Sequence, residues 1–176
     1  MTTLVWAGLL ACGEGRGVPT GVKPFDWCDS DEVATITVQA AGAMVEAQKG
    51  NVALVIFYSS RCKLSKAFFP TFLQLSDEFE DDGLKVFAFS TEECEKNLAD
   101  FLAPQSISFE PTVLVPWVSG ELTAAFANIG ITFATPWMKP LVAVVGKDGK
   151  AARQWTPASE YDTDQIRSVI ETETGE

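Results

Sequence analysis

Cys62 follows the apolar run Val52 to Tyr58 and the short turn Ser59-Ser60-Arg61, and it opens a segment with helical spacing. At a helix N-terminus a sulfur meets free backbone N–H groups and the positive end of the helix dipole, and both favour the thiolate. Arg61, Lys63 and Lys66 place three of the chain's 13 basic residues within six positions of one another. Each adds a cation that favours ionisation of the thiol. The chemistry this spacing points to is nucleophilic: a thiolate in a basic pocket, suited to attack on a disulfide or to an anionic thiol substrate.

Composition narrows the alternatives. The chain has 176 residues, 24 acidic against 13 basic side chains, a net charge of −11, 47% apolar residues, four cysteines and no histidine. Without histidine there is no Cys-His or Ser-His pair, no His-ligated zinc and no imidazole acid or base. The net charge opposes general affinity for nucleic acid or anionic lipid. A chain of this length makes one domain, which buries roughly 70% of the surface of its unfolded form and needs no disulfide staple. No metal and no bound cofactor is expected, with glutathione as the one possible co-substrate.

The elements around Cys62 alternate at short intervals. The sequence predicts a strand over Val33 to Val38, a helix over Ala40 to Gln48 stopped by Gly50, and a buried strand over Val52 to Tyr58. A helix from Cys62 to Phe79 carries Leu64, Phe68, Phe69, Phe72, Leu75 and Phe79 on its apolar side, with a kink expected at Pro70. A strand over Leu84 to Phe89 follows. Ser90 and Glu93 read as a capping box opening a helix through Leu102. Then come a helix near Glu121 to Asn128, a hairpin from Leu141 to Thr156 turning at Asp148-Gly149, and a closing helix near Tyr161 to Thr172. That order makes an α/β sandwich around a mixed sheet. Residues 1–32, rich in Gly and Pro between Gly13 and Pro24, read as an extended arm ahead of a domain over 33–176.

The segment Phe57-Tyr58-Ser59-Ser60-Arg61-Cys62-Lys63-Leu64-Ser65-Lys66-Ala67-Phe68-Phe69-Pro70 resembles the thioredoxin active-site segment without a gap, and Lys139-Pro140-Leu141-Val142-Ala143-Val144-Val145 resembles that family's cis-proline strand. The resemblance is to the thioredoxin-like superfamily, including its tryparedoxin and nucleoredoxin branch. It implies a three-layer sandwich with a central mixed sheet and an insertion, about 104–138, ahead of the cis-proline strand. It makes Cys62 the nucleophile, puts Ser65 where the resolving cysteine stands, and sets Pro140 beside Cys62. Lys139, the residue before that proline, would then bring a fourth cation toward the sulfur, and Arg61, Lys63, Lys66, Lys139 and Pro140 would form the substrate groove.

Three departures from the family pattern bear on activity. The motif is Cys62-Lys63-Leu64-Ser65 rather than C-x-x-C, Arg61 replaces the preceding Trp, and Ile56 replaces a buried acid. With Ser65 as a hydroxyl, a mixed disulfide on Cys62 cannot be resolved inside the motif. Ser65 would instead hydrogen-bond the Cys62 thiolate. A peroxiredoxin reading fails on spacing, because Val55 stands where that family needs Pro. The expected function is that of a monothiol thiol–disulfide oxidoreductase or thiol carrier acting on a protein disulfide or glutathione. The other reading is a redox-inactive subunit of a larger protein assembly.

Two further features enter these readings. Cys94 follows the third predicted strand and so belongs at the same sheet edge as Cys62, as a possible resolving thiol; Cys12 and Cys28 would pair only in an oxidising compartment. Between Glu110 and Lys139 stand 28 residues with one charge, Glu121, and two Pro-bracketed apolar runs carrying Trp117 and Trp137. This stretch either packs on the sheet or docks a partner protein. It is too short and too interrupted for a transmembrane segment. The box Leu9-Leu10-Ala11-Cys12 faintly resembles a lipoprotein cleavage site, but no Lys or Arg precedes it, so cytosol or an organelle is expected rather than a periplasmic lipoprotein.

Overall fold

The computed structural model describes residues 33–91, 95–114, 119–134, 139–156 and 162–175. The arm, Cys12, Cys28, Glu93, Cys94, Trp117 and Trp137 lie outside the described residues. In chain order the elements are β1 (Ala34–Ile36), α1 (Val38–Glu46), β2 (Ala53–Tyr58), α2 (Lys63–Glu78), β3 (Lys85–Ser90), α3 (Glu95–Leu102), β4 (Thr112–Leu114), α4 (Ser119–Phe126), β5 (Leu141–Val145), β6 (Ala151–Trp155) and α5 (Thr163–Thr174). They form a thioredoxin-like α/β sandwich on a six-stranded mixed sheet ordered β1-β4-β3-β2-β5-β6. β1, β4, β3 and β2 run parallel, while β5 is antiparallel to β2 and β6 to β5.

All six residues of β2 are fully buried, as a strand with helices on both faces must be. Leu54, Ile56 and Tyr58 point into the core under α2, α3 and α5 with Phe69, Phe72, Leu98 and Ile166. Ala53, Val55 and Phe57 point into the core under α1 and α4 with Val45, Leu122 and Phe126. The strand's last two residues therefore anchor in opposite aromatic clusters. Phe57 stands edge-on to Phe126 and to Phe133, each with centroids 5.0 Å away, and Tyr58 lies 5.0 Å from Phe69. Edge-to-face packing adds to the area these rings bury.

Several boundaries differ from the sequence expectation, each for a local reason. The β-branched run from Val33 stops at Ile36 because the Thr37 side chain accepts a hydrogen bond from Ala40 N at 3.2 Å and caps α1, which takes Val38 into the helix. Ser90 is not a helix cap. It closes the ladder with Tyr58, and α3 starts only at Glu95. Pro70 lies inside α2, on an exposed position, and the helix runs through it to Glu78. The hairpin turns as expected, with Gly149 at φ +79°, where a side chain is strained. α5 is shifted to begin after Asp162, whose side chain accepts from Asp164 N and Gln165 N. Arg167 ties α5 to the end of α2 through a bidentate contact with Glu78 at 2.6 and 3.1 Å.

One strand is absent from the sequence expectation. β4 is three residues long and lies inside the sheet, between β1 and β3, with Val113 and Leu114 buried. Three residues after Pro111 are too few to carry a period-2 pattern. Leu122, Phe126, Ile129, Ile131 and Phe133 join the core on the α1 side, so the described part of 104–138 supplies a strand, a helix and core side chains.

α4 approaches α1 very closely at Gly42, where a Cβ would stand 2.5 Å from the Ala125 carbonyl oxygen. Backbone atoms there cannot rotate away as a side chain can. Gly42→Ala should therefore destabilise the fold by about 1 to 3 kcal/mol, lowering the midpoint of thermal unfolding by several degrees. A midpoint equal to that of the parent chain would mean that α4 moves freely against α1.

Candidate functional site

The site begins with the end of β2. The Tyr58 carbonyl accepts from Thr91 N at 3.0 Å and from Thr91 Oγ1 at 3.3 Å, which fixes the last peptide of the strand to the segment leaving β3. The chain then turns tightly. Cys62 N donates to the Ser59 carbonyl at 3.1 Å, and Arg61 N donates to Ser59 Oγ at 3.2 Å. Serine suits this position because its hydroxyl bonds backbone two residues ahead. Cys62 is the N-cap of α2 rather than its first residue, with φ −89° and ψ 122°, and its carbonyl accepts from Lys66 N at 3.0 Å.

Cys62 is 4% exposed, and its sulfur lies 3.5 Å from the Lys139 carbonyl oxygen. The β2 to β5 register, which pairs Phe57 with Leu141, brings the Lys139-Pro140 peptide to this spot. That peptide bond is cis, and Lys139 and Pro140 are both buried. The atom that Lys139 gives to Cys62 is thus a backbone oxygen. Arg61, Lys63 and Lys66 are exposed around the turn and the first turn of α2.

Cys62 is also in a disulfide, whose partner lies outside the described residues. A disulfide sulfur has no proton, so its approach to the Lys139 oxygen is a contact in this state. Once reduced, the thiol would have an acceptor within sulfur hydrogen-bonding range. Ser65 is fully buried, and its Oγ accepts from Ser59 N at 3.3 Å. The hydroxyl expected to face the sulfur closes the Ser59 turn instead.

The structure therefore brings Cys62, Lys139 and Pro140 together, surrounds them with Arg61, Lys63 and Lys66, and uses Ser65 as a brace. Sequence reasoning missed Thr91 and the carbonyl role of Lys139. It also missed the disulfide at Cys62, because cysteines far apart in sequence carry no spacing that announces a pair. Among the described residues there is no group of three or more His, Cys, Asp or Glu side chains that could hold a metal, and no helix long and apolar enough to cross a membrane.

No family model matches the chain. It is 28% identical over 127 residues to glutathione peroxidase 2 of Caenorhabditis elegans, a match spanning 64% of this chain and 77% of that protein. Among solved structures, a putative thiol:disulfide interchange protein DsbE from Chlorobium tepidum superposes with a TM-score of 0.59 at 19% identity, covering 74% of this chain and 85% of the other. A secreted disulfide oxidoreductase of Mycobacterium tuberculosis gives a TM-score of 0.55 at 15% identity, over 72% and 84% of the two chains. With the sheet order, the cis peptide before β5 and the cysteine at the start of α2 already in place, these superpositions establish that the chain has the thioredoxin-like fold of the thiol:disulfide oxidoreductases.

Proposed function

We propose that the chain is a thiol–disulfide oxidoreductase whose nucleophile is Cys62, acting on a protein disulfide or on a small anionic thiol such as glutathione. The observation that carries this reading is the position of one sulfur: at the N-cap of α2, 3.5 Å from the Lys139 carbonyl and next to Pro140, and already engaged in a disulfide. In the forward step the Cys62 thiolate attacks one sulfur of the substrate disulfide, the other sulfur leaves as a thiolate, and a mixed disulfide remains on Cys62. With Ser65 occupied by the Ser59 amide, the motif itself contributes no second thiol. The likeness to a glutathione peroxidase adds glutathione as the first small thiol to test.

The basic residues support the same reading through what they cost. Lys63 and Lys66 occupy the first turn of α2, which has no acidic residue, so cations sit at the positive end of the dipole. That arrangement weakens the helix and strengthens the field at the sulfur.

A redox-inactive structural subunit is the second reading. It is favoured by the burial of the Cys62 disulfide and by Ile56, which fills the α2-side core where a proton-shuttling acid would stand. The reduction potential separates the two. An exchange couple should titrate between about −120 and −270 mV, whereas a structural staple should resist reduction to below about −300 mV.

Two substitutions probe the chemistry. Cys62→Ser should bring reduction of an insulin-type disulfide substrate to the uncatalysed background while leaving the thermal midpoint of the reduced protein nearly unchanged; retained turnover would assign the activity to another cysteine. Lys63→Glu should stabilise α2 by about 0.3 to 1 kcal/mol and slow the reaction of Cys62 with glutathione disulfide by roughly tenfold at low salt, with the difference shrinking as salt is added. An unchanged rate would mean that the exposed cations play no part in substrate capture.

A further inference from the structure

The disulfide at Cys62 needs a second sulfur, and Ser65 cannot supply it. The chain has only three other cysteines, Cys12, Cys28 and Cys94. All three lie outside the described residues, but the described residues that flank them set different tethers. Cys94 stands three residues after Thr91 and one before Glu95, where α3 starts. Thr91 is fastened by two hydrogen bonds to the Tyr58 carbonyl, and Tyr58 is four residues ahead of Cys62. A three-residue tether reaches at most about 10 Å. It starts from β3, the immediate parallel neighbour of β2, at the same sheet edge as Cys62.

The arm cysteines start farther away. Cys28 is six residues ahead of Ala34 and Cys12 more distant still. The strand that receives the arm, β1, is separated from β2 by β4 and β3, which is about 14 Å of sheet. A pair between the arm and Cys62 must first cross those two strands, whereas Cys94 has only the Ser59 to Arg61 turn to span.

We infer that Cys94 is the resolving thiol for Cys62, so that the C-x-x-S motif works as half of a dithiol whose other half stands at the entrance of α3. This inference rests on the exchange reading given above. The cycle balances with two electrons. The Cys62 thiolate attacks the substrate disulfide and expels one substrate thiolate. The Cys94 thiolate then attacks Cys62 Sγ and expels the second, leaving the Cys62–Cys94 disulfide and two reduced substrate sulfurs. An external dithiol, dithiothreitol in the assay, restores both thiols and is itself oxidised to its cyclic disulfide.

The test combines linkage and trapping in the full chain. Unreduced protein is digested after free thiols are blocked, and the peptide joined to Cys62 is identified by mass spectrometry. The expected partner is the Cys94 peptide; a partner containing Cys28 or Cys12 overturns the inference without touching the role of Cys62. In parallel, reduced parent and Cys94→Ser chains, each checked for an unchanged circular dichroism spectrum, are mixed with glutathione disulfide. The Cys94→Ser chain should accumulate glutathione on Cys62, while the parent should release it and lose two thiols. Equal accumulation in both chains overturns the resolving role of Cys94. No adduct at Cys62 in either chain overturns the exchange reading itself, and the resolving role with it.

Discussion

Phe57 and Tyr58 are consecutive in β2, and the pleat sends them to opposite faces of the sheet, where each is gripped by aromatic rings from different helices. Neither can shift along the strand without pulling its neighbour out of the other core. The Tyr58 carbonyl, held twice by Thr91, extends this grip to the last peptide before the turn. Everything chemical about the molecule is referenced to that fixed point, since Cys62 is four residues beyond it. A nucleophile on a loose loop would lose the geometry that a short covalent tether to a doubly buried strand provides at little entropic cost.

From that point the rest of the site follows with few degrees of freedom. The Ser59 turn is closed by three hydrogen bonds that involve Ser59, Arg61, Cys62 and Ser65, and α2 begins at once. The antiparallel pairing of β5 with β2 delivers the Lys139 carbonyl to the sulfur. Opposing influences meet there. Helix N–H groups and exposed cations favour the thiolate, whereas a carbonyl oxygen at 3.5 Å favours the protonated thiol. The balance is that of a sulfur held ready for exchange and not ionised at any cost.

Much of this was legible in the residues. The uninterrupted apolar run of β2, the short turn and the helical spacing of α2 locate Cys62, and the Lys139-Pro140 segment locates the strand beside it. What was illegible has a physical reason in each case. β4 is too short for a periodic signal and is defined by its neighbours in the sheet. Thr37 shows that a single side-chain cap can outweigh a β-branched run. Ser65 looked like a partner for the sulfur because both are named in one motif, yet its hydroxyl found a backbone amide closer at hand. The disulfide at Cys62 joins residues remote in sequence, a contact that only the folded chain defines.

The place of β2 in the sheet has one more consequence. Three strands lie on one side of it and two on the other, so both free edges, β1 and β6, stand about 10 Å or more from the strand that carries the sulfur. β1 has only three residues to offer a visitor. A protein that added a strand at either margin would thus leave the mouth of the reactive groove open, which separates, within one small sandwich, the surface available for lasting attachment from the surface where bonds are exchanged.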